Sequence, residues 1–229
     1  MLVLTLCGGI LKKRSDSEIC LVPSMIMNVL PNAKFIVIIR DPTKRLFSHY
    51  WFRCSIFHVW KRKKNPVQYF SVAAQQMFHN ITAHAINLFQ SCIERGTSTF
   101  EYVRKVTIVD DFTGCKTLHL GVGMYYYHIV PWLNVFPREN FLFLTTEDLV
   151  SHPDEEMKKV WAFLGLHSLP KINLKFSNVN KWIQNPQYKR NFTMLPATTQ
   201  MLRKFYQPHN ELLAHLLSDS KYMWSEVPP

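Results

Sequence analysis

Two unbroken apolar runs punctuate the chain, Phe35-Ile-Val-Ile-Ile39 and Phe141-Leu-Phe-Leu-Thr145. They do not alternate with polar residues, and they are rich in β-branched and aromatic side chains. This is the pattern of strands buried on both faces of a parallel sheet. The first follows the turn Pro31-Asn32-Ala33 and leads straight into a helix, with Asp41 suited to cap it and Pro42 to open it. At 100° per residue, Leu46, Phe47, Tyr50, Cys54 and Phe57 share one side of that helix. Lys44, Arg45, Ser48 and His49 share the other. Residues 67–94 and 196–217 predict further long helices, and 118–136 a helix kinked by Pro131. His152-Pro153-Asp154-Glu155-Glu156 opens another, its acidic first turn matching the helix dipole. From Gly96 to about residue 116 the pattern leaves open a loop or an extended piece at Val106–Val109. Strand and helix alternate, so the fold class is α/β, a parallel sheet flanked by helices. Only two strands are evident, which is few for a core.

Composition narrows the class. Of 229 residues, 47% are hydrophobic and 14% aromatic, which excludes a disordered chain. Twenty-seven Lys and Arg against 16 Asp and Glu leave +11, so an anionic partner is expected: nucleic acid, acidic lipid, a phosphorylated small molecule or an acidic polysaccharide. The run Lys61-Arg62-Lys63-Lys64 has no interleaved aromatics and reads as a solvated loop, or as an aid in holding a polyanionic sugar, before it reads as a nucleic-acid surface. Five cysteines form no C-x-x-C pair and ten histidines show no ligand spacing, so no metal site is predicted. Two sequons, at Asn80 and Asn191, are compatible with a secretory lumen. The apolar start Met1–Leu11 is too short to span a bilayer, and Lys12-Lys13-Arg14 follow it where a signal peptide would carry them first. Residues 1–21 therefore stand apart as an atypical segment, read as a buried strand or a reading-frame artefact, and residues 22–229 form the domain.

The chemistry concentrates at the first strand's end. Arg40 stands where open α/β sheets place their ligands, and Ser48 lies on the polar side of the next helix. A guanidinium fork and a hydroxyl so placed suit a phosphate. The plain alternative is that Arg40 pairs with a carboxylate such as Asp41 while Ser48 faces solvent. The eighteen-residue segment from Phe35 to Phe52, with Arg40-Asp41-Pro42 and Ser48, resembles the 3′-phosphate-binding segment of sulfotransferases that use 3′-phosphoadenosine 5′-phosphosulfate (PAPS). Gly123-Met-Tyr125 with Trp132-Leu133 and Phe136 is similar to that family's next helix. Glu147-Asp148-Leu149 and Phe163-Leu164-Gly165-Leu166 are similar to the elements after its second strand. Met194-Leu195-Pro196-Ala197-Thr198, with Pro208 and Asn210, brings the likeness closest to Golgi glycosaminoglycan sulfotransferases of the N-acetylgalactosamine 4-sulfate 6-O-sulfotransferase type.

The resemblance implies a set of expectations. Arg40 and Ser48 hold the 3′-phosphate of PAPS, and Lys189 and Arg190 belong to a basic loop that closes over the donor. Cys92 and Cys115 form a disulfide, which in the chain-entropy model stabilises by about 3 kcal/mol. The acceptor is a sulfated glycosaminoglycan of the chondroitin or dermatan type, with no nucleic-acid partner and no metal. The compartment is the Golgi lumen, with membrane attachment only through an amino-terminal anchor outside this chain. Relatives cradle the 5′-phosphosulfate with a K-x-G-T-[TS] loop between a first strand and helix, and a base follows; no such run occurs in the 229 residues. The expected fold is therefore an incomplete P-loop-like sulfotransferase, a truncated chain without that strand and loop. The alternative is a non-catalytic pseudoenzyme that binds acidic polysaccharide through its basic surface.

Overall fold

The computed structural model describes residues 22–60, 72–106, 119–167 and 193–225. The chain divides into two compact units, one built from residues 1–41 and 127–179 and the other from 42–126 and 180–229. Met1–Leu11, Lys61–Lys64 and residues 107–118 and 168–192 lie outside the described residues.

In the first unit, helix α1 (Val22–Val29) precedes strand β1 (Phe35–Ile39), and β1 pairs in parallel with β2 (Phe141–Thr145). The register runs from Phe35 opposite Phe141 to Ile39 opposite Thr145. Asn140 secures that register at the strand starts, its Nδ2 donating to the Ala33 carbonyl at 2.9 Å. Aromatic rings build the core: Phe35 lies 5.2 Å from Trp132, 4.8 Å from Phe136 and 4.9 Å from Phe141. The first two pairs are edge-on and the third is stacked, and such pairs add roughly 0.5–1.5 kcal/mol beyond the area they bury. Burial on both faces is met by β2 but not by β1, where Ile38 is 51% exposed. No described strand pairs with the other edge of β1.

After β2 the chain turns into α6 (Thr146–Ser151), with Thr145 as its cap: the Asp148 amide donates to Thr145 Oγ1 at 3.0 Å. Pro153 opens α7 (Pro153–Leu164), and Asp154, Glu155 and Glu156 fill its first turn. Gly165, at φ 72°, closes it in the left-handed conformation that glycine reaches without penalty. Lys34 reaches the same end, donating to the Phe163 carbonyl at 2.5 Å, which places a cation on the negative pole of the helix.

The second unit is helical. Helix α2 (Pro42–Trp60) buries Leu46, Phe47, Tyr50 and Trp51, and α3 (Val72–Glu94) meets them with Phe78, its ring 5.2 Å from Phe47 and 4.9 Å from Tyr50. Helix α8 (Pro196–Leu217) presents Leu202, Tyr206, Leu213 and Leu217 to the same core. Gly96, at φ 88°, ends α3 as the sequence indicates. The next residues form a helix: α4 spans Thr99–Val106, and the Glu101 amide donates to Ser98 Oγ at 3.2 Å; beyond Val106 the extended piece read at Val106–Val109 lies outside the described residues. Ser98-Thr-Phe-Glu101 is a capping-box sequence, and that signal outweighs the nearby glycine. The helix expected over 118–136 is also shorter. A 3₁₀ turn at Gly121–Gly123 precedes α5 (Tyr125–Leu133), because two glycines within three residues weaken helix and permit close packing. A Cβ on Gly123 would meet Pro42 Cβ and the Tyr206 ring, each at 3.0 Å.

Candidate functional site

Arg40 is half-buried and directly follows β1, between buried Ile39 and buried Asp41. Residues at the start of α6 contact both neighbours. The Thr146 hydroxyl donates to the Ile39 carbonyl at 3.2 Å, and the Asp41 amide donates to Glu147 Oε1 at 3.3 Å. The Arg-Asp-Pro turn is thus pinned immediately before and immediately after the arginine. Sequence reasoning noted the Glu147-Asp148-Leu149 run but not this contact, which joins residues more than a hundred positions apart.

Ser48 lies in the second turn of α2, half-buried, on the side opposite Leu46, Phe47, Tyr50 and Trp51. The helix carries no acidic residue in its first turn, though buried Asp41 directly precedes it, and Lys44 is exposed nearby. Arg45 points its charge elsewhere: Nη2 donates to the His119 carbonyl at 2.7 Å. One residue on, the Tyr206 hydroxyl donates to the Leu120 carbonyl at 3.0 Å. Burial raises the Tyr206 phenol far above its usual range, and the adjacent Arg45 guanidinium offsets only part of that. Tyr206 is therefore a neutral donor at any physiological pH. Arg45 and Tyr206 together hold residues 119–123 to α2 and α8.

Helix α3 anchors the amino-terminal end of α8. Gln75 Nε2 donates to the Thr193 carbonyl at 2.5 Å, and His79 Nδ1 lies 2.8 Å from the Thr198 hydroxyl. This fixes the chain just after Lys189 and Arg190, which themselves lie outside the described residues, as does Asn191. Cys92 is a free, half-buried thiol, and Cys115 lies outside the described residues. Burial, and secondarily the charge of Cys92, push the Tyr102 phenol up to about 12. Asn80 is exposed on α3, while Thr82, which completes its sequon, is fully buried and donates to the Phe78 carbonyl at 2.7 Å. Among the described residues, no cluster of His, Cys, Asp or Glu is placed to hold a metal ion, and no helix is long and apolar enough to cross a membrane.

Residues 18–204 match the model of the sulfotransferase domain. This chain belongs to that family. Sulfotransferase relatives include carbohydrate sulfotransferase 15 of Homo sapiens, 29% identical over 197 residues that make up 85% of this chain and 31% of that protein. The carbohydrate sulfotransferase 15 of Nototodarus sloanii is 30% identical over 145 residues, 62% of this chain and 87% of that protein. Heparan sulfate glucosamine 3-O-sulfotransferase 3B1 of Mus musculus is 28% identical over 144 residues, 63% of this chain and 27% of that protein. The chain thus spans under a third of the length of the mammalian relatives it matches. The crystal structure of a sulfotransferase from Alicyclobacillus acidocaldarius shares the fold at a TM-score of 0.50 and 18% identity, covering 88% of this chain and 62% of the other.

Proposed function

We propose that this chain supplies the 3′-phosphate side of a PAPS site in a carbohydrate sulfotransferase. The observation that carries the reading is the segment Arg40–Ser48, which has the family's motif and folds as strand end, turn and helix in a chain that belongs to the family. Arg40 offers the planar fork that matches a phosphate, and Ser48 offers one further donor. Charge-assisted bonds of this kind contribute roughly 1.5–3 kcal/mol each. Lys189 and Arg190 add positive charge over the donor.

The reaction is an in-line displacement at sulfur: an acceptor hydroxyl oxygen bonds to sulfur as the bond to the 5′-phosphate oxygen breaks. A base takes the hydroxyl proton and the departing phosphate keeps the electron pair. Binding the 3′-phosphate orients the donor for that step. The acceptor is a hydroxyl of a sulfated galactosaminoglycan of the chondroitin or dermatan type, in the Golgi lumen. This choice is supported by the carbohydrate sulfotransferase 15 relatives and by the net charge of +11. In that compartment Asn80 and Asn191 carry glycans, and the family resemblance pairs Cys115 with Cys92, a free thiol in this structure.

Thermal unfolding with adenosine 3′,5′-bisphosphate tests the reading. Millimolar ligand raises the midpoint of the wild-type chain, and Arg40→Ala removes the rise. No shift in the wild type refutes donor binding. Retention on a chondroitin sulfate column without any such shift points instead to a non-catalytic polysaccharide binder.

A further inference from the structure

We propose that Thr146 and Glu147 are positioning residues for Arg40, setting the guanidinium for the 3′-phosphate through hydrogen bonds to the backbone on either side of it. The inference rests on the donor-binding reading above and deepens it. Arginine side chains are long, and a fork that must meet a phosphate bidentately needs its Cα and peptide planes held still. Those planes are set by Ile39 and Asp41. The Ile39 carbonyl accepts from Thr146 Oγ1 and the Asp41 amide donates to Glu147 Oε1, so both bonds come from consecutive residues at the end of the neighbouring strand. The β1–β2 ladder ends at Ile39 opposite Thr145, one residue short of the arginine. These two side chains continue the coupling for the two residues beyond the ladder.

Glu147 is also an expensive choice if stability were its only purpose. Its second oxygen, Oε2, is buried and makes no hydrogen bond among the described residues. A buried acceptor left unmatched costs on the order of 1–3 kcal/mol, more when charged, and such groups cluster where function holds them. A carboxylate retained there, at the sheet end where open α/β folds bind ligands, fits a role in fixing the turn.

The experiment is isothermal titration of the whole chain with adenosine 3′,5′-bisphosphate and with adenosine 5′-monophosphate, which lacks the 3′-phosphate. The readout is the Kd of the monophosphate divided by the Kd of the bisphosphate. Glu147→Ala lowers that ratio about tenfold and Thr146→Val several-fold, while the affinity for the monophosphate stays within about twofold. Glu147→Gln, whose amide oxygen still accepts from the Asp41 amide, keeps the ratio near the wild-type value. In an Arg40→Ala background neither substitution lowers the ratio further. A residue that serves only folding shifts both ligands together, or shifts the melting temperature alone. The proposal is overturned if Arg40→Ala abolishes the ratio but Glu147→Ala and Thr146→Val leave it unchanged, or if they weaken both ligands equally. Should Glu147→Ala not fold, Thr146→Val, which removes a single hydroxyl, decides by the same criterion. A wild-type ratio near one removes the donor reading itself, and the positioning role with it.

Discussion

His209 gives the fold a measurable pH dependence. It lies in α8, is only 8% exposed, and has the Phe205 ring at 5.7 Å and the Phe89 ring at 6.1 Å. Burial among these rings disfavours the imidazolium and lowers the pKa from 6.5 to about 4. The sign follows from which state takes the proton first. In the unfolded chain His209 protonates as pH falls through 6.5, while the folded chain resists until about 4. Between those values the unfolded state binds more protons, so stability falls with falling pH and levels off below the folded value. The gap corresponds to roughly 3 kcal/mol in all, with a slope of up to about 1.4 kcal/mol per pH unit. The assay is urea unfolding of wild type and His209→Gln from pH 7.5 to 4. Carboxylates titrate in both chains and cancel in the difference. The gap between the two proteins changes by roughly 3 kcal/mol across the window, with the wild type losing more on acidification. Parallel pH profiles would refute the claim that His209 is held neutral.

Three further outcomes follow from the same packing. Tyr206→Phe removes the hydroxyl bond to the Leu120 carbonyl, which keeps the Gly123 amide as a donor at 3.0 Å, and costs about 0.5–1.5 kcal/mol by urea unfolding; an unchanged stability contradicts the bond. Gly123→Ala forces a methyl against Pro42 and the Tyr206 ring at 3.0 Å and destabilises by about 1–3 kcal/mol, read from the thermal midpoint; an unchanged midpoint shows the contact to be loose. Ser98→Ala removes the cap of α4 and costs about 1 kcal/mol, whereas Ser98→Asp preserves it, by the same measurement.

Much of the fold was legible because the relevant signals are local. The Phe35–Ile39 and Phe141–Thr145 runs became β1 and β2, the Pro42 and Pro196 openings became the starts of α2 and α8, and Gly165 follows α7 as its left-handed cap. Competing local signals account for the misreadings. Gly96 concealed the capping box that starts α4, Gly121 and Gly123 were absorbed into a helix they delay, and the short α1 carries no cap signal apart from Pro23. The exposure of Ile38 was unreadable, since an apolar run does not reveal how many strands flank it.

The candidate site divides in the same way. Arg40 and Ser48 are eight residues apart in a motif, so the sequence displays them together. Thr146 and Glu147 reach the Arg40 turn only through a parallel strand pairing that brings residues 106 and 107 positions apart into hydrogen-bond range. The Arg45 bond to the His119 carbonyl and the Gln75 bond to Thr193 span 74 and 118 positions. None of these side chains differs in type from an ordinary surface polar residue, and their roles exist only once the helices have packed.

The central claim, that Arg40 reads the donor's 3′-phosphate, is tested most directly by the Kd of adenosine 3′,5′-bisphosphate relative to adenosine 5′-monophosphate in wild type and Arg40→Ala. A charge-assisted contact of roughly 1.5–3 kcal/mol predicts a preference for the bisphosphate on the order of ten- to a hundredfold in the wild type, lost in the variant. Equal affinities in the wild type, or a preference that survives Arg40→Ala, contradict it.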